Sequence, residues 1–238
     1  MRSNKMLNKP LLCAVVIGKT LSGFLSQLQR AQAIADLVEL RVDYLKNINS
    51  KTLYHIAKQI KKKVILCCRA KRDNGNFTGT LEAQNQILQT GNDLKFDYLD
   101  IDLAIANKII IRRKKAKKII SYHNFQKTPT LKALINIAGE MRTFSPDILK
   151  FAVMTNQLDD ASILFRFLLN KKPSENIIVL GMGKKGKITR LLAPLLGSYL
   201  TFASIDHSSS APGQIDIKTM RNFYHQFNRL QSKKSLNR

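Results

Sequence analysis

Apolar residues along this chain gather into short runs, and helix-length amphipathic stretches separate those runs from one end to the other. Eight runs read as strands, at 11–17, 37–41, 64–69, 98–103, 119–123, 148–154, 177–182 and 199–204. Amphipathic stretches at 21–34, 53–60, 81–88, 131–137, 161–168, 188–195 and 217–227 read as helices. This alternation predicts an α/β fold with a parallel sheet and crossover helices. Eight such units in 238 residues predict a (β/α)8 TIM barrel, a fold that typically takes ~250 residues. No Gly/Ser linker, Pro-rich tract or repeat divides the chain, so one domain over 1–238 is expected, with polar, frayed ends in the first few residues and from about Gln231.

Three of the strand runs carry reactive groups. Lys150 sits inside Asp147-Ile148-Leu149-Lys150-Phe151-Ala152-Val153-Met154. Lysine is rarely fully buried without a partner, and an amine desolvated by an apolar site is pushed toward its neutral, nucleophilic form, which is the chemistry of a Schiff base. The alternative is an edge strand whose lysine snorkels to water. His123 ends the run Lys118-Ile119-Ile120-Ser121-Tyr122-His123, and Glu39, Arg41 and Asp43 share one face of Leu37-Val38-Glu39-Leu40-Arg41-Val42-Asp43. In a TIM barrel the reacting groups belong at the C-terminal ends of the strands. Glu39 and Arg41, Arg69, His123, Met182 and Ser204 all fall there, with Lys150 inside its own strand. Strand parity puts Lys150 on one face with Ile148 and Ala152, leaving Tyr122 and Phe151 to pack against helices.

Charge changes the picture little. The 40 Lys and Arg residues against 16 Asp and Glu give a formal +24, but the basic residues lie in scattered short runs such as Lys61-Lys62-Lys63 and Arg112-Arg113-Lys114-Lys115. That dispersal argues for a solvated basic surface that draws in small anions, not for a specific nucleic-acid site. Cys13, Cys67 and Cys68 offer neither a disulfide framework nor a metal-ligand spacing. The apolar run at 11–17 leads into Gly18-Lys19-Thr20 and reads as a strand, not a signal peptide. No stretch reaches the ~18 apolar residues of a membrane span, so a cytoplasmic protein is expected.

Gly181-Met182-Gly183-Lys184-Lys185-Gly186 has the spacing of a dinucleotide fingerprint, with Asp206 placed as a ribose-binding acid. Too little chain follows Asp206 to complete such a domain. A barrel accounts for the same residues as the loop after its seventh strand, where backbone N–H groups often hold anions.

Taken together, these residues resemble type I 3-dehydroquinate dehydratase, the Schiff-base-forming enzyme of the shikimate pathway. The likeness covers nearly the whole chain. It rests on Glu39-Leu40-Arg41-Val42-Asp43, Ser121-Tyr122-His123-Asn124-Phe125 with Thr128-Pro129, Lys150-Phe151-Ala152-Val153-Met154, the segment from Met182 to Arg190, and Ser210-Ala211-Pro212-Gly213-Gln214. The resemblance implies that Lys150 forms an imine with the substrate ketone and that His123 shuttles the protons. It implies that Arg190 binds the substrate carboxylate and that Ser210 and Gln214 close over it from a lid at 208–214. Glu39, Arg41 and Arg69 would meet ring hydroxyls, while Met182 and Phe202 line the pocket. It further implies 3-dehydroquinate as substrate, no metal or organic cofactor, and a homodimer.

One departure stands out. Where the family usually has Glu-Gly-Gly after the third strand, this chain has Asp73-Asn74-Gly75, so Asp73 takes the place of a carboxylate one methylene longer. If Asp73 orients the histidine, its loop sits closer or the bond runs through water. Two rival readings remain at this level: another lysine-imine barrel such as a class I aldolase, and a nucleic-acid-binding protein on a barrel scaffold.

Overall fold

Each apolar run becomes a parallel strand in the computed structural model, which describes residues 10–236 except 95 and 206–209, with side chains described as far as 230. The strands are β1 (Leu12–Val16), β2 (Leu37–Arg41), β3 (Lys63–Cys67), β4 (Tyr98–Asp102), β5 (Lys117–Asn124), β6 (Ile148–Met154), β7 (Ile177–Met182) and β8 (Thr201–Ala203). The helices are α1 (Leu21–Ile34), α2 (Ser50–Ala57), α3 (Leu81–Asp93), α4 (Leu131–Arg142), α5 (Leu158–Leu169), α6 (Lys187–Leu192) and α7 (Ile217–Leu236). Helices α1 to α4 begin at Thr20, Asn49, Thr80 and Thr130, whose side-chain oxygens accept backbone N–H groups of the first turn. Helix α7 continues through the tail expected to fray after Gln231.

The sheet runs β7-β6-β5-β4-β3-β2-β1-β8 with every ladder parallel. At the remaining seam no ladder forms. Instead the Tyr199 N–H donates to Ile177 O at 2.8 Å, and Ser198 Oγ accepts from Val179 N at 3.2 Å, which brings the barrel nearly to closure. Burial on both faces explains why the strands read as continuous apolar runs. Cys13, Val15, Ile65, Ile119, Ile148 and Ile178 fill the barrel interior. The opposite parity packs outward against helices, as with Phe151 edge-on to Phe167 of α5 at 4.7 Å.

The fourth unit breaks the pattern. After β4 there is a short 3-10 turn, Leu103–Ile105, and then irregular chain up to β5, so among the described residues seven α-helices accompany eight strands. Within this irregular chain Ile109 and Ile111 pack on the core while Ile110 is exposed, the alternation of an extended segment. Buried Asn92 anchors this segment, donating to Arg112 O and Arg113 O and accepting the N–H groups of Lys115 and Ala116.

The glycine motif is likewise structural. Gly183 adopts a φ of +81°, and a Cβ on Gly186 would collide with the Gly181 backbone, so the glycines let α6 pack tightly on β7. Asp206, the other half of the fingerprint, lies outside the described residues.

Candidate active site

Lys150 lies in the middle of β6 with its ammonium inside the barrel. Nζ donates to Asp100 Oδ2 of β4 at 2.6 Å and to Glu39 Oε1 of β2 at 2.8 Å, and all three side chains are 5% exposed or less. Asp100 also accepts from Ser121 Oγ at 2.6 Å, and Ser121 is the residue opposite Lys150 in the β5–β6 ladder. The Phe202 ring adds a face 4.3 Å from Nζ. Burial pulls the Lys150 pKa down, but Asp100 and then Glu39 outweigh it and hold the amine above its ordinary value. Burial pushes Asp100 up, and Lys150 followed by Arg69 reverses that and keeps it ionised. The sequence expectation of a neutral amine in an apolar site is therefore overturned: the resting group is an ammonium between two carboxylates.

His123, near the end of β5, is gripped from both sides. Its Nδ1 lies 2.9 Å from Asp102 Oδ2 and its Nε2 lies 2.8 Å from Arg69 Nη2. A guanidinium can only donate, so Nε2 accepts and the ring proton belongs on Nδ1, toward Asp102. Burial, then Arg69, then Lys150 hold the imidazole well below its ordinary pKa, and it rests neutral.

The carboxylate on the histidine is thus Asp102 and not Asp73. Asp102 ends the strand next to β5 and reaches His123 directly, whereas Asp73 sits in a 3-10 turn after β3 (Lys71–Asp73), paired loosely with Arg72 at 3.5 Å. Its neighbour Asn74 lines the cavity in its place.

The other expected residues converge on that cavity, which has about 510 Å³ of empty space: Glu39, Arg41, Arg69, Met182, Arg190, Phe202, Ser210 and Gln214 all line it with Lys150 and His123. Arg41 forms a two-pronged pair with Asp43, both bonds 2.8 Å, leaving that cation compensated. Arg190 differs: it is 2% exposed and, among the described residues, has no acidic partner, makes one long bond of 3.4 Å to Phe202 O and leaves its Nε without one. Burial brings its pKa down to about 10. Gln214 and Ser210 tie the last loop together, through Gln214 Nε2 to Ser210 Oγ at 3.1 Å and Ser210 N to Gln214 Oε1 at 3.0 Å. Ser208 and Ser209 of the expected lid lie outside the described residues.

The sequence reading includes Ser121 only within the Ser121-Tyr122-His123 motif, and it gives no role to Asp100 or Asp102. Their signal was present in Tyr98-Leu99-Asp100-Ile101-Asp102, which alternates apolar and charged residues just as Glu39-Leu40-Arg41 does. Glu39, Cys67 and Asp100 also bring ligand atoms within 4.8 Å of one another, a geometry suited to a cation; here the cation between the two carboxylates is the Lys150 ammonium.

The model of the type I 3-dehydroquinase family matches residues 12–231. The chain belongs to that family. It is 59% identical over 227 residues to a 3-dehydroquinate dehydratase of Coxiella burnetii, covering 95% of this chain and 97% of the relative. A 3-dehydroquinate dehydratase of Methanocaldococcus jannaschii is 34% identical over 220 residues, 90% of this chain and 97% of that one. Among solved structures, the 3-dehydroquinate dehydratase of Geobacillus kaustophilus superposes with a TM-score of 0.85 at 25% identity, covering 93% of this chain and 92% of the other. The type I enzyme of Clostridium difficile, solved with covalently modified comenic acid, gives 0.83 at 25% identity over 93% of each chain.

Proposed function

We propose that this protein converts 3-dehydroquinate to 3-dehydroshikimate by syn elimination of water through an imine on Lys150, a step of the shikimate pathway toward aromatic amino acids. The observation that carries the reading is the single cavity in which a buried lysine between two carboxylates, a neutral histidine and an arginine with no acidic partner among the described residues face one another.

The Lys150 ammonium first gives up a proton to solvent and the free amine adds to the C3 carbonyl; the carbinolamine oxygen takes up that proton and a second one from the nitrogen and leaves as water, giving an iminium. His123 Nε2 then takes a proton from C2, and the C–H electron pair drains into the iminium nitrogen to give an enamine. The enamine expels the C1 hydroxyl, which leaves as water with the proton returned from His123. Hydrolysis of the conjugated iminium releases the product and restores the amine. Glu39 and Asp100 suit this sequence because the iminium carries the same single positive charge as the resting ammonium. Arg190, with Ser210 and Gln214, takes the substrate carboxylate; Glu39, Arg41 and Arg69 take ring hydroxyls; Met182 and Phe202 form apolar walls. The lysine supplies the electron sink, so the reaction requires neither metal nor organic cofactor.

The family resemblance further implies one catalytic domain working as a cytoplasmic homodimer. The assembly is tested by sedimentation of the purified protein. Incubation with 3-dehydroquinate, followed by the ultraviolet absorbance of the conjugated product, tests the activity. Salt-dependent retention on DNA with no turnover would favour the nucleic-acid reading.

A further inference from the structure

We propose that Asp102 is the residue that positions His123 for proton transfer, an inference that rests on the dehydration reading above. Three observations carry it. The Asp102 carboxylate is fixed on both sides: Oδ1 accepts the Ala104 N–H at 3.1 Å and Oδ2 meets His123 Nδ1 at 2.9 Å. The bond joins adjacent strands, with Asp102 paired to Ser121 two residues before the histidine, so backbone ladders hold donor and acceptor in place. Finally, with the proton on Nδ1 directed at Asp102, the basic nitrogen is Nε2, whose lone pair accepts from Arg69 Nη2 in the resting site and takes the substrate proton when that bond gives way.

The charged groups that bear on the imidazole are Arg69 from the segment after β3, Lys150 of β6, Arg41 of β2, and Asp100 and Asp102 of β4. Asp102 is the anion bonded to the ring itself. When Nε2 takes the C2 proton, the imidazolium charge forms against that carboxylate, which both stabilises it and stops the ring from rotating. Asp73 forms no bond to the ring and contributes through neither route.

The test compares wild type with Asp102→Asn, Asp102→Glu and Asp73→Asn, after wild-type turnover has been measured. Asp102→Asn retains an oxygen for the Ala104 N–H and so preserves the turn. It is expected to lower kcat at least tenfold, part of the ~10²–10⁴ that general acid–base catalysis supplies. KM should stay within about twofold and borohydride should still trap substrate on the protein, since neither binding nor imine formation uses Asp102. The acidic limb of kcat/KM should move down by about one pH unit, because the imidazolium loses its anion. Asp102→Glu should recover much of the lost rate, and Asp73→Asn should behave as wild type. The proposal is overturned if Asp102→Asn stays within about twofold of wild type with its acidic limb unmoved, or if Asp73→Asn produces the loss instead. Should the wild type fail to dehydrate 3-dehydroquinate, nitrogen NMR of His123 separates the two ideas. An Nδ1-protonated ring sustains the positioning geometry and sinks only the reaction; an Nε2-protonated ring sinks the positioning as well.

Discussion

Lys150 Nζ stands 2.6 Å from Asp100 Oδ2, and Asp100 is itself anchored by Ser121, the residue opposite Lys150 in the strand ladder. Lysine and carboxylate are thus fixed to neighbouring strands of one rigid sheet, and Glu39 completes the cage from across the barrel. Such an arrangement stabilises a single positive charge at that point, whether ammonium or iminium. The neutral amine is the species it disfavours, so imine formation must begin with a proton leaving a lysine held above its ordinary pKa.

Borohydride added during turnover should therefore fix substrate irreversibly on Lys150, located by mass spectrometry, because an imine is reducible and a non-covalent complex is not. The rate of trapping should rise with pH as the free amine becomes available. Asp100→Asn removes one of the two anions, so its trapping profile should shift to lower pH. An adduct on a different lysine, or none in a protein that turns over, removes the imine assignment; an unshifted profile removes Asp100 as the group that sets the ionisation.

Arg190 presents the opposite case, a buried cation with no counter-charge among the described residues. Desolvation of an unpaired charge costs stability, and a ligand carboxylate would supply the missing partner. Arg190→Met should raise KM by tenfold or more, the equivalent of ~1.4 kcal/mol, while unliganded stability holds or improves. Thermal denaturation with and without a carboxylate-bearing substrate analogue checks both, since binding to the native state stabilises it by RT ln(1 + [L]/Kd), more in wild type than in the variant at one ligand concentration. A variant that loses unliganded stability at unchanged KM would show that Arg190 serves packing, not recognition.

These two groups mark how far the sequence could be read. The eight strands were legible because a sheet buried on both faces leaves continuous apolar runs, and Lys150 was legible because it interrupts one. What surrounds Lys150 was not, since Glu39 and Asp100 lie 111 and 50 positions away and only the closing of the barrel brings them together. The ionisation of the lysine was misread for the same reason. The motif points to Asp73 because it selects a position along the chain, whereas contact with His123 is set by which strand lies next to β5 and falls to Asp102. The absence of a described helix between β4 and β5 left no such mark, since Ile109-Ile110-Ile111 is uniform in type and only packing separates buried Ile109 and Ile111 from exposed Ile110.

Arg69 on the lone pair of Nε2 gives a pH signature with a defined sign. A cation there disfavours protonation, so the acidic limb of wild-type kcat/KM should lie below the ordinary imidazole value of ~6.5. Arg69→Ala should move that limb upward and also raise KM through the lost hydroxyl contact. The same depressed pKa links to folding: the unfolded chain takes up the proton first, so this contribution to stability is complete above ~6.5 and is lost as pH falls toward the folded value. Arg69→Ala should soften that loss. If its acidic limb stays where the wild type's is, Arg69 does not govern the base.

The final test separates the two central residues. His123→Ala deletes the proton shuttle but leaves the amine and its cage intact, so turnover should fall by the ~10²–10⁴ that general acid–base catalysis contributes. Substrate should then accumulate as the covalent species, because imine formation outruns the C2 proton transfer that His123 performs. Lys150→Ala removes the imine altogether. It should still bind substrate through Arg190 and Gln214, yet give no borohydride adduct at any pH. It also leaves Glu39 and Asp100 facing each other without their shared cation, and breaking a buried pair in this way costs about 3–5 kcal/mol. Lys150→Met, which refills the volume but not the charge, serves as the control for that loss, and Lys150→Arg restores the charge without a usable nucleophile. Activity in Lys150→Arg near the wild-type level would mean that the cation alone carries the reaction, and near-normal turnover in His123→Ala would pass the role of base to Glu39.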